Sequence, residues 1–293
     1  MKEVLVISGK GGTGKTTVTA ALADLASKGK RLVLVDADVD AANLELLLSP
    51  EKKAVFPFMG GQIAEINQAE CTQCGRCAEI CRFDAIHPGN EFKIDEQKCE
   101  GCLACYYQCP TQAINIQIHQ SGEWYRSETQ FGELFHAFLY PGEENSGKLV
   151  TELKQKAFQQ ARKSAADILL IDGPPGIGCP VTAACRGADL VILVSEPSIS
   201  GQHDLYRILA VTRHFNIPAC LLINKADLNP KIRAEMLIFA TQTGMPVLGE
   251  IMYDESLISA ISQAKPATQV LDNQATDALK SICLKLEPLL QVN

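Results

Sequence analysis

The sequence predicts an α/β domain built on a mostly parallel sheet covered on both faces, interrupted by a small α+β cysteine-rich domain. Three observations carry this prediction. Short apolar runs of strand type alternate with helical segments at both ends of the chain. A glycine-rich loop joins the first such run to the first helix. Eight of the 12 cysteines crowd between Cys71 and Cys109, where the α/β alternation stops. The 293 residues suit one large domain plus an insert, and 46% hydrophobic with 21% charged residues exclude global disorder. The boundaries expected are 1–62 and 119–293 for the two parts of the main domain and 63–118 for the insert.

VLVISG opens the chain as a strand. TTVTAALADLASKG follows as a helix closed by Gly29, and RLVLVDAD is a second buried strand. Residues 49–68, with Pro50, Pro57, Gly60 and Gly61, read as a linker. A repeat of period 28 comes next: CTQCGRCAEICRFDAI (Cys71–Ile86) aligns with CEGCLACYYQCPTQAI (Cys99–Ile114) at all four cysteines and the closing Ala-Ile. Residues 119–165 return to ordinary globular composition. GEENSGKLV sets Glu143, Glu144 and Lys148 around Gly147 without full phosphate-loop spacing, and reads as the lead into a helix over Lys148–Ala166. DILLIDGPPG, DLVILVSEP and PACLLINKAD are three more buried strands, with helices near Gly201–His214 and Lys231–Gly244. The tail DALKSICLKLEPLL is amphipathic with balanced charges, so packing on the core is expected rather than membrane binding.

A net charge of -7 argues against nucleic-acid binding through a basic face. No apolar run approaches the roughly 18 residues of a membrane span, and the first strand leaves no room for a signal peptide. A cytoplasmic protein is expected, so the cysteines point to metal or cluster ligation rather than disulfides.

Gly9–Thr16 (GKGGTGKT) fits G-x-x-x-x-G-K-[ST] between a strand and a helix. Gly9, Gly11, Gly12, Thr13 and Gly14 would offer backbone N–H groups to phosphate oxygens, continuing through Thr17 into the helix start. Lys15 would neutralise the outer phosphates, and the Thr16 hydroxyl would ligate Mg²⁺. Asp172 ends a buried strand, where open α/β sheets bind ligands, and is the matching metal carboxylate. Asp36, Asp38 and Asp40 follow the second strand, where carboxylates can hold metal-bound water and orient an attacking one. Asp40 also suits the N-cap of the next helix. INKAD contains Asn224 and also matches the guanine-reading N-K-x-D pattern, with Asp227 as discriminator. In each cysteine repeat, C-x-x-C-x-x-C-x-x-x-C can wrap three corners of a [4Fe–4S] cube, with zinc as the competing reading. His87, His119, His136, His203 and His214 show no zinc spacing.

KGGTGKT, with Lys10 at its head, resembles the deviant Walker A motif of the MinD/Mrp/ParA group of P-loop ATPases, over roughly residues 1–48 and 165–260. The resemblance implies ATP and Mg²⁺ as ligands and a homodimer. Lys10 would reach the partner's nucleotide, or else serve its own. Asp38 would align the hydrolytic water, Asp36 would support the metal's outer shell, and Asn43 would belong to a switch loop. Gly173 or Gly176 would sense the γ-phosphate, and Asn224 would read the base. The repeat is similar to two-cluster bacterial ferredoxins. That similarity implies two [4Fe–4S] clusters, one on Cys71, Cys74, Cys77 and Cys109, the other on Cys99, Cys102, Cys105 and Cys81. Arg82 departs from the pattern, standing where the second repeat has Pro110, beside the cluster that Cys81 would bind. Cys179 follows Asp172 at the distance of a ligating cysteine in the nitrogenase iron protein, but no second such cysteine exists, so a thiol without metal is expected. Cys185, Cys220 and Cys283 read as packing residues.

The function expected is ATP hydrolysis coupled to electron transfer through the clusters to an unknown redox partner. The alternatives are a nucleotide-regulated carrier of an iron–sulfur or metal cofactor to a client, and a MinD/ParA-like positioning ATPase with structural clusters.

Overall fold

The computed structural model describes residues 1–143 and 147–291; Glu144 of the GEENSGKLV segment lies outside the described residues. In chain order the elements are β1 (Lys2–Ser8), α1 (Lys15–Ser27), β2 (Leu32–Asp36), α2 (Leu44–Leu48), β3 (Glu51–Phe58), β4 (Gly61–Ile66), α3 (Arg76–Ile80), β5 (Ile86–His87), β6 (Lys93–Ile94), α4 (Ala104–Gln108), β7 (Ile114–His119), β8 (Gly122–Thr129) and β9 (Gly132–Leu139). There follow α5 (Lys148–Lys163), β10 (Ile168–Pro175), α6 (Cys179–Cys185), β11 (Leu190–Ser195), α7 (Ile199–His214), β12 (Ala219–Asn224), α8 (Pro230–Thr243), β13 (Val247–Ile251), α9 (Ser256–Ser262), α10 (Ala267–Val270) and α11 (Gln274–Gln291). The chain divides into two compact units: Met1–Phe56, Trp124–Phe138 and Asn145–Asn293 in one, Pro57–Glu123 and Leu139–Glu144 in the other.

The larger unit is organised by a nine-stranded sheet in the order β13-β12-β11-β1-β10-β2-β9-β8-β3. β1 runs parallel to both β10 and β11, and β2 runs parallel to β10 and β9. β2, β11 and nearly all of β1 are buried along their length, as apolar runs covered on both faces must be. Their side chains form one core with α1 and with Ala275, Leu279, Ile282 and Leu286 of α11. The tail therefore packs on the core, and among the described residues no helix is long and apolar enough to cross a membrane.

Two expectations need correction here. Residues 49–68 are not a linker, because they form β3 and β4. β3 is an edge strand with most residues exposed, so it carries no buried-face alternation, and its Pro57 is tolerated at an edge. Asp40 does not cap a helix, because α2 begins at Leu44 with Asn43 at the N-cap position.

In the smaller unit the sequence repeat becomes a structural one. α3 and α4 occupy matching positions of the two repeats. Left-handed backbone recurs in register at Gln73 and Gly101 (φ 55 and 57), Gly75 and Leu103 (φ 79 and 65), and Asp84 and Gln112 (φ 48 and 55). β4 pairs antiparallel with β7 through Ile66 and Ile114, and β5 pairs antiparallel with β6 through Ile86 and Ile94. These four isoleucines belong to a small cluster: Ala64, Ile66, Ile86, Phe92, Cys105 and Ile114 are buried, with Ile94 and five cysteines packed against them.

Candidate functional site

The glycine-rich loop runs from the end of β1 to the start of α1. Gly14 stands at the N-cap of α1 in left-handed backbone, and no side chain caps that helix start. A Cβ at Gly14 would collide with the Asn224 side-chain amide. That amide donates to the Thr13 carbonyl at 2.7 Å, so Asn224 braces the loop from the end of β12. The Thr13 hydroxyl is buried without a hydrogen-bond partner among the described residues. Such an orphan in a loop of convergent N–H groups fits a phosphate ligand.

Lys15 is buried, with its Nζ 3.1 Å from Asp172 Oδ1 and 3.5 Å from Asp38 Oδ2. Burial works against its charge, but Asp172, Asp38 and Asp36 outweigh it and hold the ammonium above its ordinary value. Asp172 also accepts from the Thr16 hydroxyl at 2.6 Å and the Thr19 hydroxyl at 3.0 Å. Thr16 and Asp172, predicted as metal ligands, are thus in direct contact. The Asp36 carboxylate lies beneath them and accepts from the N–H groups of Leu44 (2.9 Å) and Asp38 (3.2 Å). Burial, reinforced by Asp172, pushes its carboxyl up to about 8. Asp38 is shifted in the same direction, first by burial and then by Asp172, with Lys15 opposing. Asp36 thereby fastens the start of α2, while Asp38 is left facing Lys15. Asn43 turns its amide back to the Ala41 carbonyl at 2.8 Å.

Lys10 is held within its own chain. Its Nζ lies 2.6 Å from Glu196 Oε1 and donates to the Ser198 and Ser200 hydroxyls at 3.2 and 3.1 Å. Glu196, just beyond β11, also accepts from Lys225 Nζ at 2.9 Å, and Lys225 donates to the Gly12 carbonyl at 3.0 Å. Burial opposes the Glu196 charge, but the two lysines outweigh it and lower its pKa. Sequence reasoning missed Glu196. The available signal was an acidic residue just after a buried strand, on the edge where Asp36 and Asp172 also stand. The Gly176 N–H, expected to be free for a phosphate, donates to the Ser8 carbonyl at 2.9 Å. Asp227 accepts from the Tyr253 N–H at 2.7 Å, which occupies one of the carboxylate oxygens a guanine reader would need.

In the smaller unit, Cys71, Cys74, Cys77 and Cys109 line a small cavity with Ile66, Phe92 and Ile114 among its walls. Cys81, Cys99, Cys102 and Cys105 line another, walled by Ala64, Ile86 and Ile94. Each cavity holds the three close-spaced cysteines of one repeat and the last cysteine of the other. Those last cysteines accept matching backbone bonds, Ala85 N–H to Cys81 Sγ at 3.4 Å and Ala113 N–H to Cys109 Sγ at 3.3 Å. Burial pushes the Cys105 thiol up to about 11. At Cys109 burial acts the same way, but the Thr111 hydroxyl and the N–H groups of Ala113, Thr111 and Gln112 outweigh it, leaving the thiol lowered. No disulfide joins the described cysteines. Among the described residues no group of three or more His, Cys, Asp or Glu is drawn together to hold a single metal ion. Arg82 is exposed and is not part of either cavity wall. Cys179 is exposed at the start of α6, Cys185 and Cys220 are buried, and Cys283 packs against the core.

Comparison with known proteins agrees with the architecture. Residues 4–267 match the CobQ/CobB/MinD/ParA nucleotide binding domain. An uncharacterised protein of Methanocaldococcus jannaschii is 37% identical over 78% of this chain and 79% of its own length. The septum site-determining protein MinD of Bacillus subtilis is 26% identical over 98% of this chain and 89% of its own. Among solved structures, MinD of Pyrococcus horikoshii complexed with Mg-ADP covers 99% of this chain and 97% of its own, with a TM-score of 0.62 at 20% identity. With its P-loop braced by Asn224 and its buried Lys15–Asp172 pair, the chain belongs to the CobQ/CobB/MinD/ParA nucleotide-binding family of P-loop ATPases.

Proposed function

We propose that this chain is a Mg²⁺-dependent, dimer-forming ATPase whose inserted segment, residues 63–118, binds two [4Fe–4S] clusters, and that nucleotide state governs electron transfer through them to a redox partner. The partition of eight cysteines into two cavities of four thiols carries the reading. Four thiols to each cavity, walled by apolar side chains and supplied with N–H donors to sulfur, suit a cubane better than one zinc ion. When bound, each cluster supplies one-electron storage.

At the loop, Lys15 exchanges its contacts with Asp172 and Asp38 for phosphate oxygens, and Thr16 and Asp172 are the side chains that would hold Mg²⁺. Asp38, freed from Lys15, orients the water that attacks the γ-phosphorus, and the bond to the ADP oxygen breaks. Lys10, released from Glu196, becomes available to a phosphate of its own or of a partner's nucleotide. Adenine is favoured over guanine because Asp227 is engaged by Tyr253.

The test is anaerobic purification with iron counted per chain, followed by EPR of the reduced protein with and without Mg-ATP. About eight irons and a spectrum that changes with Mg-ATP are expected. Eight irons with identical spectra would remove the coupling, and absence of iron would remove the clusters. Asp38→Ala is expected to lower ATP turnover by about 10² or more while retaining nucleotide binding, measured by phosphate release and calorimetry. A second reading, a positioning ATPase with structural clusters, is favoured by similarity to septum site-determining MinD across nearly the whole chain. ATP-dependent sedimentation with lipid vesicles would support it. Complete transfer of the iron to an apo-acceptor would instead indicate a carrier.

A further inference from the structure

The two thiol cavities are built by one repeated sequence, yet their walls differ in charge at matching positions. Around Cys71, Cys74, Cys77 and Cys109 stand Thr72, Arg76 and Thr111. The matching residues around Cys81, Cys99, Cys102 and Cys105 are Glu100, Ala104 and Phe83. One wall thus carries a cation and the other an anion. The difference extends to the sulfurs. Cys81 and Cys109 accept matching bonds from the Ala85 and Ala113 N–H groups, but among the described residues Cys109 alone of the two has a hydroxyl beside it as well, Thr111 Oγ1 at 3.7 Å. A ligating thiolate carries no proton, so in that contact the hydroxyl donates. Phe83 has no donor to offer in its place. Positive charge and hydrogen bonds to sulfur both favour the reduced, more negative cluster. All three substitutions therefore act in the same direction. Arg82, which would act against them, is absent from the wall that Glu100 lines.

We infer that the two clusters are inequivalent, the one on Cys71, Cys74, Cys77 and Cys109 having the higher reduction potential and holding the first electron, with Arg76, Thr111 and Glu100 setting the gap. This rests on the cluster reading above. The test is an anaerobic redox titration of the full chain with dithionite, followed by EPR, on protein whose iron has been counted. Two resolved midpoint potentials are expected. Thr111→Val and Arg76→Gln should each lower only the higher one, and Glu100→Gln should raise only the lower one, with iron content unchanged. Eight irons with a single potential would overturn the inference and leave the cluster reading standing. So would variants that move neither potential, or that all move the same one. Absence of iron would take both down.

Discussion

The phosphate loop and the cysteine cavities, read above as proposed cluster sites, are prepared in opposite ways. At the loop, cation and carboxylates are already matched: Lys15 rests on Asp172 and Asp38, and Lys10 and Lys225 share Glu196. A triphosphate arriving there replaces existing partners, and the large core beneath does not depend on it. Among its described residues the cysteine unit has two short helices, two two-stranded sheets and a core cluster of six buried residues. Its thiols have no counter-charge among themselves. On the proposed reading one site is a switch, where binding exchanges contacts, and the other is a scaffold, where binding a cluster would complete the fold.

Stripping iron is the sharpest way to break that contrast. Chelation of the reduced protein should open residues 57–123 to protease while the larger unit keeps its protection and its ATP affinity, as limited proteolysis would show. Loss of protection throughout the chain would mean that the units do not differ in this way. Lys15→Ala should do the reverse. It leaves Asp172 buried with hydroxyl partners but no cation, which should cost about 3 kcal/mol in urea unfolding of the larger unit and weaken ATP binding by about 10² or more. Iron content should be unchanged.

A third prediction concerns pH and confines itself to the larger unit. Burial, aided by Lys52, lowers the His136 imidazole to about 4. The neutral ring bridges Glu45 Oε2 at Nδ1 (3.0 Å) and the Ser127 hydroxyl at Nε2 (2.9 Å), with Tyr125 beside it. The unfolded chain takes up a proton near 6.5 that the folded one refuses. The stabilisation is therefore complete above pH 6.5 and is lost as pH falls toward 4, by an amount on the order of 3 kcal/mol. His136→Gln should flatten the pH dependence of the urea midpoint across that window. The smallest effect is expected at Glu196→Gln, which loosens Lys10 and Lys225 together. Nucleotide affinity should change by roughly two- to five-fold, because the 30% exposed lysines keep part of their solvation when the buried Glu196 loses its charge.

What could be read from the sequence follows the same division. VLVISG, RLVLVDAD and DILLIDGPPG are continuous apolar runs, and buried parallel strands leave that trace. The Gly9–Thr16 loop and the period-28 cysteines are fixed in spacing by backbone geometry. The period is kept in paired left-handed residues such as Gly75 and Leu103. β3 was hidden because a sheet edge need not bury a face: EKKAVFPF exposes charged and apolar side chains alike. Glu196 was hidden for another reason, since its partners Lys10 and Lys225 lie far away along the chain and only the sheet order gathers them.

Phe56 and Trp124 stack with ring centroids 4.1 Å apart, on neighbouring strands of the sheet. The chain departs toward the cysteine repeat just after the first ring and comes back at the second. Sixty-odd residues are thus spliced in where a hairpin turn would do, their ends already clasped, so the loop adds little closure entropy to the host. A short asparagine-glycine turn in their place should leave a larger unit that still folds and binds nucleotide, as urea unfolding and calorimetry of the shortened chain would show.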